Sequence, residues 1–286
     1  MADAVPERWN RPIFVASMGR SGSTLLQRIL NVHPDITVWG EHGGFLTGIL
    51  QSFEVASEPS AAQNLLAGYE DRHMVIGELS DKEAFKPWVS PFRTADLEHA
   101  VVTLVRELFT EGLAPSIRWG FKEIRYTDKE IRTLMSMFPK AHLVVLARDL
   151  HGFMESRFFA FGNTDFDFDS EQGRAKAHER LKLMSNRWVR RYEGLLALRD
   201  DYAERTSVIT YGDLVVGSTR PMELFGELGE EAPSPTALDA VLGAVSGSSF
   251  KFNSEARAHR ETLRGMLDDA DVEWERYNRI AEQIGL

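Results

Sequence analysis

Short, continuous, mainly apolar runs that alternate with longer helix-patterned stretches constrain this chain more than any other feature. Pro12–Ser17 (PIFVAS), Ile36–Trp39, Trp119–Phe121, His142–Ala147 (HLVVLA) and Ser207–Thr210 read as strands. The continuous runs PIFVAS and HLVVLA have the pattern of strands buried on both faces. Helical spacing marks Ser23–Val32, Leu97–Glu111, Asp128–Phe138, a segment from about Leu150, Glu171–Arg199, Pro221–Leu228, Thr236–Ser246 and Ser254 to the end. The alternation predicts an α/β fold of three layers, a central, mostly parallel sheet with helices on both faces. Val101, Leu104, Val105 and Leu108 should face inward from one helix, and Leu183, Trp188 and Leu195 from the long one, whose charges form a solvated face. Gly43–Asp96 mixes Gly, Pro, Ser and aromatics and reads as helical pieces and loops. No repeat or linker divides the chain, so residues 1–286 are expected to form one domain.

The 286 residues, 43% of them hydrophobic, suffice for a core without covalent staples. The absence of cysteine excludes a disulfide scaffold, a thiol nucleophile, a redox dithiol and a cysteine zinc site. The eight histidines show no metal-ligand spacing supported by carboxylates, so no metal is expected. A net charge of −10 argues against a nucleic-acid partner. Neither a secretion signal nor a membrane-length apolar run is present, which predicts a cytoplasmic protein with no membrane span. The sequence carries no signal for an oligomeric state.

Met18–Leu26 (MGRSGSTLL) lies between a strand and an amphipathic helix. Gly19 and Gly22 allow a tight turn and close backbone approach, and the N–H groups of the next helix form an anion site. Arg20 adds charge, and Ser21, Ser23 and Thr24 add hydroxyls, making a cradle for phosphate or sulfate. The nucleoside-triphosphatase pattern GxxxxGK[ST] is absent, because the basic residue precedes Ser-Gly.

GRSGSTLL resembles the 5′-phosphosulfate loop of the sulfotransferase family, whose donor is 3′-phosphoadenosine 5′-phosphosulfate (PAPS). The resemblance implies a P-loop nucleoside-triphosphate-hydrolase-like architecture and PAPS as co-substrate. A second segment, HLVVLARDLHGFMESRFF, puts Arg148 at a strand end and Ser156 eight residues on, similar to the family's 3′-phosphate motif. A guanidinium and a hydroxyl suit a terminal phosphate through charge-assisted hydrogen bonds. Asp149 also matches the strand-end carboxylate that holds magnesium in nucleoside triphosphatases, but Arg148 before it favours the first reading.

Parallel strands end on one side of a sheet, so Glu41, in VWGEHGG, is expected beside the Arg20 loop, where a carboxylate can deprotonate an acceptor hydroxyl. This resembles the Glu-base branch of the family, which includes tyrosylprotein and bacterial carbohydrate sulfotransferases. His42 is the rival base. Lys122, in WGFKEIRY, is similar to a family lysine near the transferred group, or else is a surface lysine paired with Glu123. Tyr211, in YGDLV, resembles the tyrosine of the family's Tyr-Glu-x-Leu-Val segment, which contacts nucleotide, or else packs the strand on its helix. Lys251, or alternatively Arg257, resembles the basic residue of the loop that closes over the 3′-phosphate.

These residues imply a PAPS-dependent sulfotransferase acting on a hydroxyl of a small-molecule acceptor, an alcohol, phenol or sugar. The net charge makes heparin-like chains poor candidates and a neutral acceptor the better one. Phe45, Phe53, Trp88 and Phe92 are candidate acceptor contacts, and Phe158, Phe159, Phe161, Phe166 and Phe168 either pack or gate the site. The competing readings are an ATP-dependent kinase of a small metabolite and a catalytically silent nucleotide- or partner-binding protein.

Overall fold

Five parallel strands form where the apolar runs lie: β1 (Ile13–Ser17), β2 (Ile36–Trp39), β3 (Arg118–Glu123), β4 (His142–Ala147) and β5 (Thr206–Thr210), in the order β2-β3-β1-β4-β5. The structure is a computed structural model that describes residues 5–58, 94–159, 168–215, 218–248 and 254–286. Every residue of β1, β3 and β4 is buried, as continuous apolar runs require when helices cover both faces.

One face packs under α1 (Ser23–Leu30), α7 (Tyr211–Val215), α8 (Arg220–Leu228) and α9 (Pro235–Ser248), through Leu26, Ile29, Leu214, Phe225 and Leu238 against Ile13, Val15, Val144 and Leu146. The other carries α2 (Leu46–Ser57), α3 (Thr94–Thr110), α4 (Asp128–Met137), α5 (Leu150–Phe159), α6 (Glu171–Asp201), α10 (Ser254–Asp268) and α11 (Trp274–Ile284), packed on Phe14, Phe121, Leu143 and Val145. Among the described residues no helix is long and apolar enough to cross a membrane.

Three expectations fail in detail. In α3 the buried stripe is Val101, Val105 and Phe109, while Leu104 and Leu108 are exposed. A stripe with i, i+4, i+8 spacing is narrower than the four-residue pattern assumed. Leu183 is also exposed, whereas Trp188 and Leu195 are fully buried. Five residues from Trp188, it lies about 140° away around α6. The C-terminal helix is broken into α10 and α11 at residues 269–273, where acidic side chains oppose the helix dipole at the end of α10. Of the Phe cluster, Phe158, Phe159 and Phe168 are buried in the core, and Phe161 and Phe166 lie outside the described residues, as do Trp88 and Phe92.

Gly120 lets β1 and β3 pair closely beneath the site. A Cβ there would lie 2.1 Å from the Ile13 carbonyl oxygen. Gly120→Ala is expected to cost about 3 kcal/mol, read as a lower urea midpoint with unchanged slope.

At the opposite rim, His142 Nε2 is 2.8 Å from the Ser207 hydroxyl, which itself donates to Glu227. Ser207 has one proton, so the imidazole is the donor in the first bond. Burial, followed by the charge of Arg118, lowers the His142 pKa to about 4. The unfolded chain therefore binds the extra proton first. Stability is fully present above about pH 6.5 and falls as the pH drops toward 4, by up to about 3 kcal/mol. Urea melts of the wild type and His142→Gln across this window should differ in slope, with the variant flatter between pH 6.5 and 5.

Candidate active site

The C-terminal ends of the strands bring the candidate anion-binding residues of the described chain to one edge. After β1, residues 18–22 turn through two left-handed positions, Arg20 (φ +74°) and Gly22 (φ +93°). Gly22 accepts it freely, whereas Arg20 does so at a cost of about 1–2 kcal/mol. Among the contacts that hold Arg20, its carbonyl accepts from Arg148 Nη1 at 3.2 Å, and its Nε donates to Ser156 Oγ at 3.2 Å. The loop arginine, the strand-end arginine and the helix serine thus form one cluster. Burial, then Arg148 and Arg157, lowers the Arg20 pKa, the mark of converging positive charge.

Tyr211 opens α7 and lies directly over Gly22, and the Arg148 guanidinium stacks on its ring at 4.2 Å. Asp213, where the resembled segment differs, accepts from the Thr210 amide and hydroxyl, both at 2.8 Å, and so fixes this turn. Asp149 is occupied as the cap of α5, accepting from the Gly152 amide at 2.7 Å. Ser23 opens α1, and Gly22 before it offers no capping side chain to the first-turn N–H groups of Ser23 and Thr24. Lys251 lies outside the described residues, and the side chain of Arg257 is likewise not described.

Glu41 reaches the loop indirectly. The β1–α1–β2 crossover skips one strand position, so β3 lies between β1 and β2. From β3, Lys122 Nζ spans the gap, donating to Thr24 Oγ1 at 3.2 Å and to Glu41 Oε1 at 2.8 Å. Lys122 is 5% exposed and is not a surface lysine paired with Glu123. Successive strand residues point to opposite faces, which sends Glu123 the other way. There Glu123 accepts from the amides of Gly44, Ile124 and Arg125, and pairs with the Arg125 guanidinium at 3.0 Å. Burial opposes its charge, but Arg125 and the amides prevail and hold its pKa below the ordinary range. Arg125 also binds Glu41 Oε2 at 3.1 Å.

His42 is turned away. Its ring packs edge-on against Phe45, Phe109 and Phe121, its Nε2 meets the Tyr126 hydroxyl, and burial lowers its pKa.

The strand-loop-helix order, the Arg20–Arg148–Ser156 cluster and the lysine link to Glu41 coincide with a family pattern. The model of the sulfotransferase family matches residues 12–223. The chain belongs to the sulfotransferase family. No curated protein sequence matches it. Among solved structures, this sulfotransferase is similar to the sulfotransferase domain of the Synechococcus PCC 7002 olefin synthase (16% identity, TM-score 0.53, covering 99% of this chain and 98% of that one). It is also similar to the sulfotransferase domain of the curacin biosynthetic pathway (15% identity, TM-score 0.51, covering 96% and 97%). At these identities the likeness shows the fold, a P-loop-like α/β arrangement.

Sequence reasoning missed the support behind the loop. In α6 the Tyr192 hydroxyl donates to the Leu146 carbonyl at 3.0 Å and lies 3.2 Å from Ser21 Oγ, and Trp188 Nε1 donates to the Arg148 carbonyl at 3.0 Å. The available signal was two aromatics at i, i+4 in a charged helix. A cavity of about 420 Å³ also opens beside Met18–Gly19, walled by the Ile124–Asp128 turn, α5 and α6.

A methyl at Gly22 would meet the Tyr211 ring at 2.5 Å and also sit at positive φ. Gly22→Ala should cost several kcal/mol in the wild type, and only the conformational part, about 1–2 kcal/mol, in a Tyr211→Ala background. Urea denaturation of the four proteins reads the difference.

Proposed function

We propose that this sulfotransferase, acting as a single domain, moves the sulfuryl group of PAPS to a hydroxyl of a small-molecule acceptor, with Glu41 as base. The observation that carries the reading is the Thr24–Lys122–Glu41 link. One lysine touches both the loop that would hold the donor and the carboxylate that would take the proton. The donor also fits the side chains present. Arg148 Nε is buried with no hydrogen-bond partner among the described residues, in a guanidinium that stacks on the Tyr211 ring and donates to the Arg20 carbonyl. A terminal phosphate would supply its acceptor.

In this mechanism the loop amides, Ser23, Thr24 and Arg20 hold the 5′-phosphosulfate, while Arg148 and Ser156 hold the 3′-phosphate. Ser21, expected from the sequence to offer its hydroxyl to the donor, is buried with that hydroxyl turned to Tyr192 and contributes by fixing the loop. The acceptor oxygen attacks sulfur in line as its proton passes to Glu41. The bond from sulfur to the bridging oxygen breaks, and adenosine 3′,5′-bisphosphate leaves. Lys122 and Arg20 neutralise charge on the sulfuryl and bridging oxygens, so positioning and electrostatics supply the acceleration. Lys122 must shift part of its hydrogen bonding from Glu41 toward the donor, which frees Oε1 to accept the proton. Tyr211 packs against the nucleotide side, and Lys251 is retained as the residue closing over the 3′-phosphate.

Glu41→Gln keeps the shape and removes the base. Its expected effect is a fall in kcat of about 10²–10⁴-fold with unchanged affinity for adenosine 3′,5′-bisphosphate, measured by labelled-sulfate transfer and calorimetry. Near-full turnover would remove Glu41 from the role. Tight ATP–magnesium binding without preference for a 3′-phosphate would instead favour the kinase reading.

A further inference from the structure

The cavity beside Met18–Gly19 has an unusual wall. α6 contributes Arg187, Arg190 and Arg191, α5 contributes Arg157 from the facing side, and among the described residues the only carboxylate lining it is Asp128. Arg125 at its rim is already held by Glu41 and Glu123. Arg157, Arg187 and Arg190 make no ion pair among the described residues. Arg191 is half-buried. Its Nη2 reaches only the Ser17 carbonyl, at 3.5 Å, and its Nε is buried without a hydrogen-bond partner among the described residues.

Such a grouping runs against the composition. With 43 acidic and 33 basic residues, a merely solvated helix face would intersperse acids with these arginines. Arg187 lies at i, i+3 from Arg190 and at i, i+4 from Arg191, spacings at which like charges repel on a helix. Burial lowers the Arg191 pKa, and Arg187 lowers it further, although Tyr192, Asp128 and Glu130 act the other way. An anion between α5 and α6 would relieve these costs together, and guanidinium forks suit phosphate or carboxylate oxygens.

Position relates the wall to the chemistry. The cavity borders the first residues of the loop, and Arg125, which helps to line it, holds Glu41 Oε2 at 3.1 Å. In the cluster assigned to the donor's 3′-phosphate, the Tyr211 ring that stacks on Arg148 belongs to α7, on the α1 side of the sheet, while Ser156 lies on α5, where its neighbour Arg157 also bears on Arg20 by its charge. Phe153 and Met184 in the cavity lining belong to the opposite core.

Resting on the sulfuryl-transfer reading, we propose that the acceptor is a hydroxylated small molecule bearing a phosphate or carboxylate, which Arg157, Arg187, Arg190 and Arg191 hold while its hydroxyl meets Glu41. This replaces the neutral acceptor that the net charge favoured. The −10 belongs to the whole surface, whereas selection occurs at a cationic cavity.

The test uses matched acceptors: 4-(2-hydroxyethyl)benzoate against its methyl ester, and 6-hydroxyhexyl phosphate against 1-hexanol. Labelled-sulfate transfer gives kcat/KM, and calorimetry on the protein with and without adenosine 3′,5′-bisphosphate gives binding without needing turnover. The charged member of each pair should be favoured at least tenfold. The Arg187→Ala/Arg190→Ala variant, altering two exposed helix positions, should fold and should lose that preference through a raised KM for the charged member, with unchanged bisphosphate affinity. The carboxylate and phosphate arms separate the two anion types. Equal use of charged and neutral members overturns the proposal, as does failure of the charged members to bind. So does a variant that loses bisphosphate affinity, because the arginines would then serve the donor. If the bisphosphate itself does not bind, the donor reading falls, and anion binding to the free protein still reports on the cavity.

Discussion

The hydroxyl of Tyr192, fully buried under the sheet edge, ties together parts of the site that are far apart in the chain. It donates to the Leu146 carbonyl near the end of β4 and lies 3.2 Å from Ser21 in the loop after β1. One turn earlier, Trp188 holds the Arg148 carbonyl. A 31-residue helix thus references two anion motifs about 120 positions apart to one rigid element. Local sequence could not hold Arg20 at positive φ alone. The strained turn persists because Arg148 and Ser156 grip it, and Arg148 is in turn held by α6.

The link through Lys122 gives the site its electrostatic character. A carboxylate held between Lys122 and Arg125 is well oriented and not free to wander, and its carrier loop is pinned by Glu123 through the Gly44 amide. Orientation of this kind is what a proton acceptor near an attacking oxygen requires. It also explains why an acidic chain concentrates cations at this edge. In the proposed reaction the loop amides, Arg20, Lys122 and Arg148 would offset the charge of a donor, and Glu41 and Glu123 beside Lys122 and Arg125 keep the group in balance.

Much of this was legible in the sequence, for definite reasons. Runs such as HLVVLA are too short for helices and too apolar for exposed strands, so β1 and β4 emerged with their ends nearly right. GRSGSTLL and the Arg148–Ser156 spacing carry chemistry in residue type and order, so the cluster they form could be anticipated. What failed needed tertiary information. The insertion of β3 between β1 and β2 is a topological choice that no local pattern encodes, and it makes Lys122 the bridge to Glu41. Leu104, Leu108 and Leu183 were placed by hydrophobicity where the packing stripe is narrower. The arginines of α6 read as an ordinary solvated face and Tyr192 carried no signal of its own, because their partners come from other elements.

An all-parallel sheet also sets the buried histidine of the lower rim apart from the candidate site. His142 begins β4 and Arg148 follows its end, about 20 Å away at roughly 3.3 Å per residue. A proton gained at His142 therefore couples to the donor-side arginine by under about 1 kcal/mol at an effective dielectric of 20. The acid-sensitive histidine and the arginine of the candidate site thus occupy opposite ends of the same strand. A change of charge at one end is therefore felt only weakly at the other.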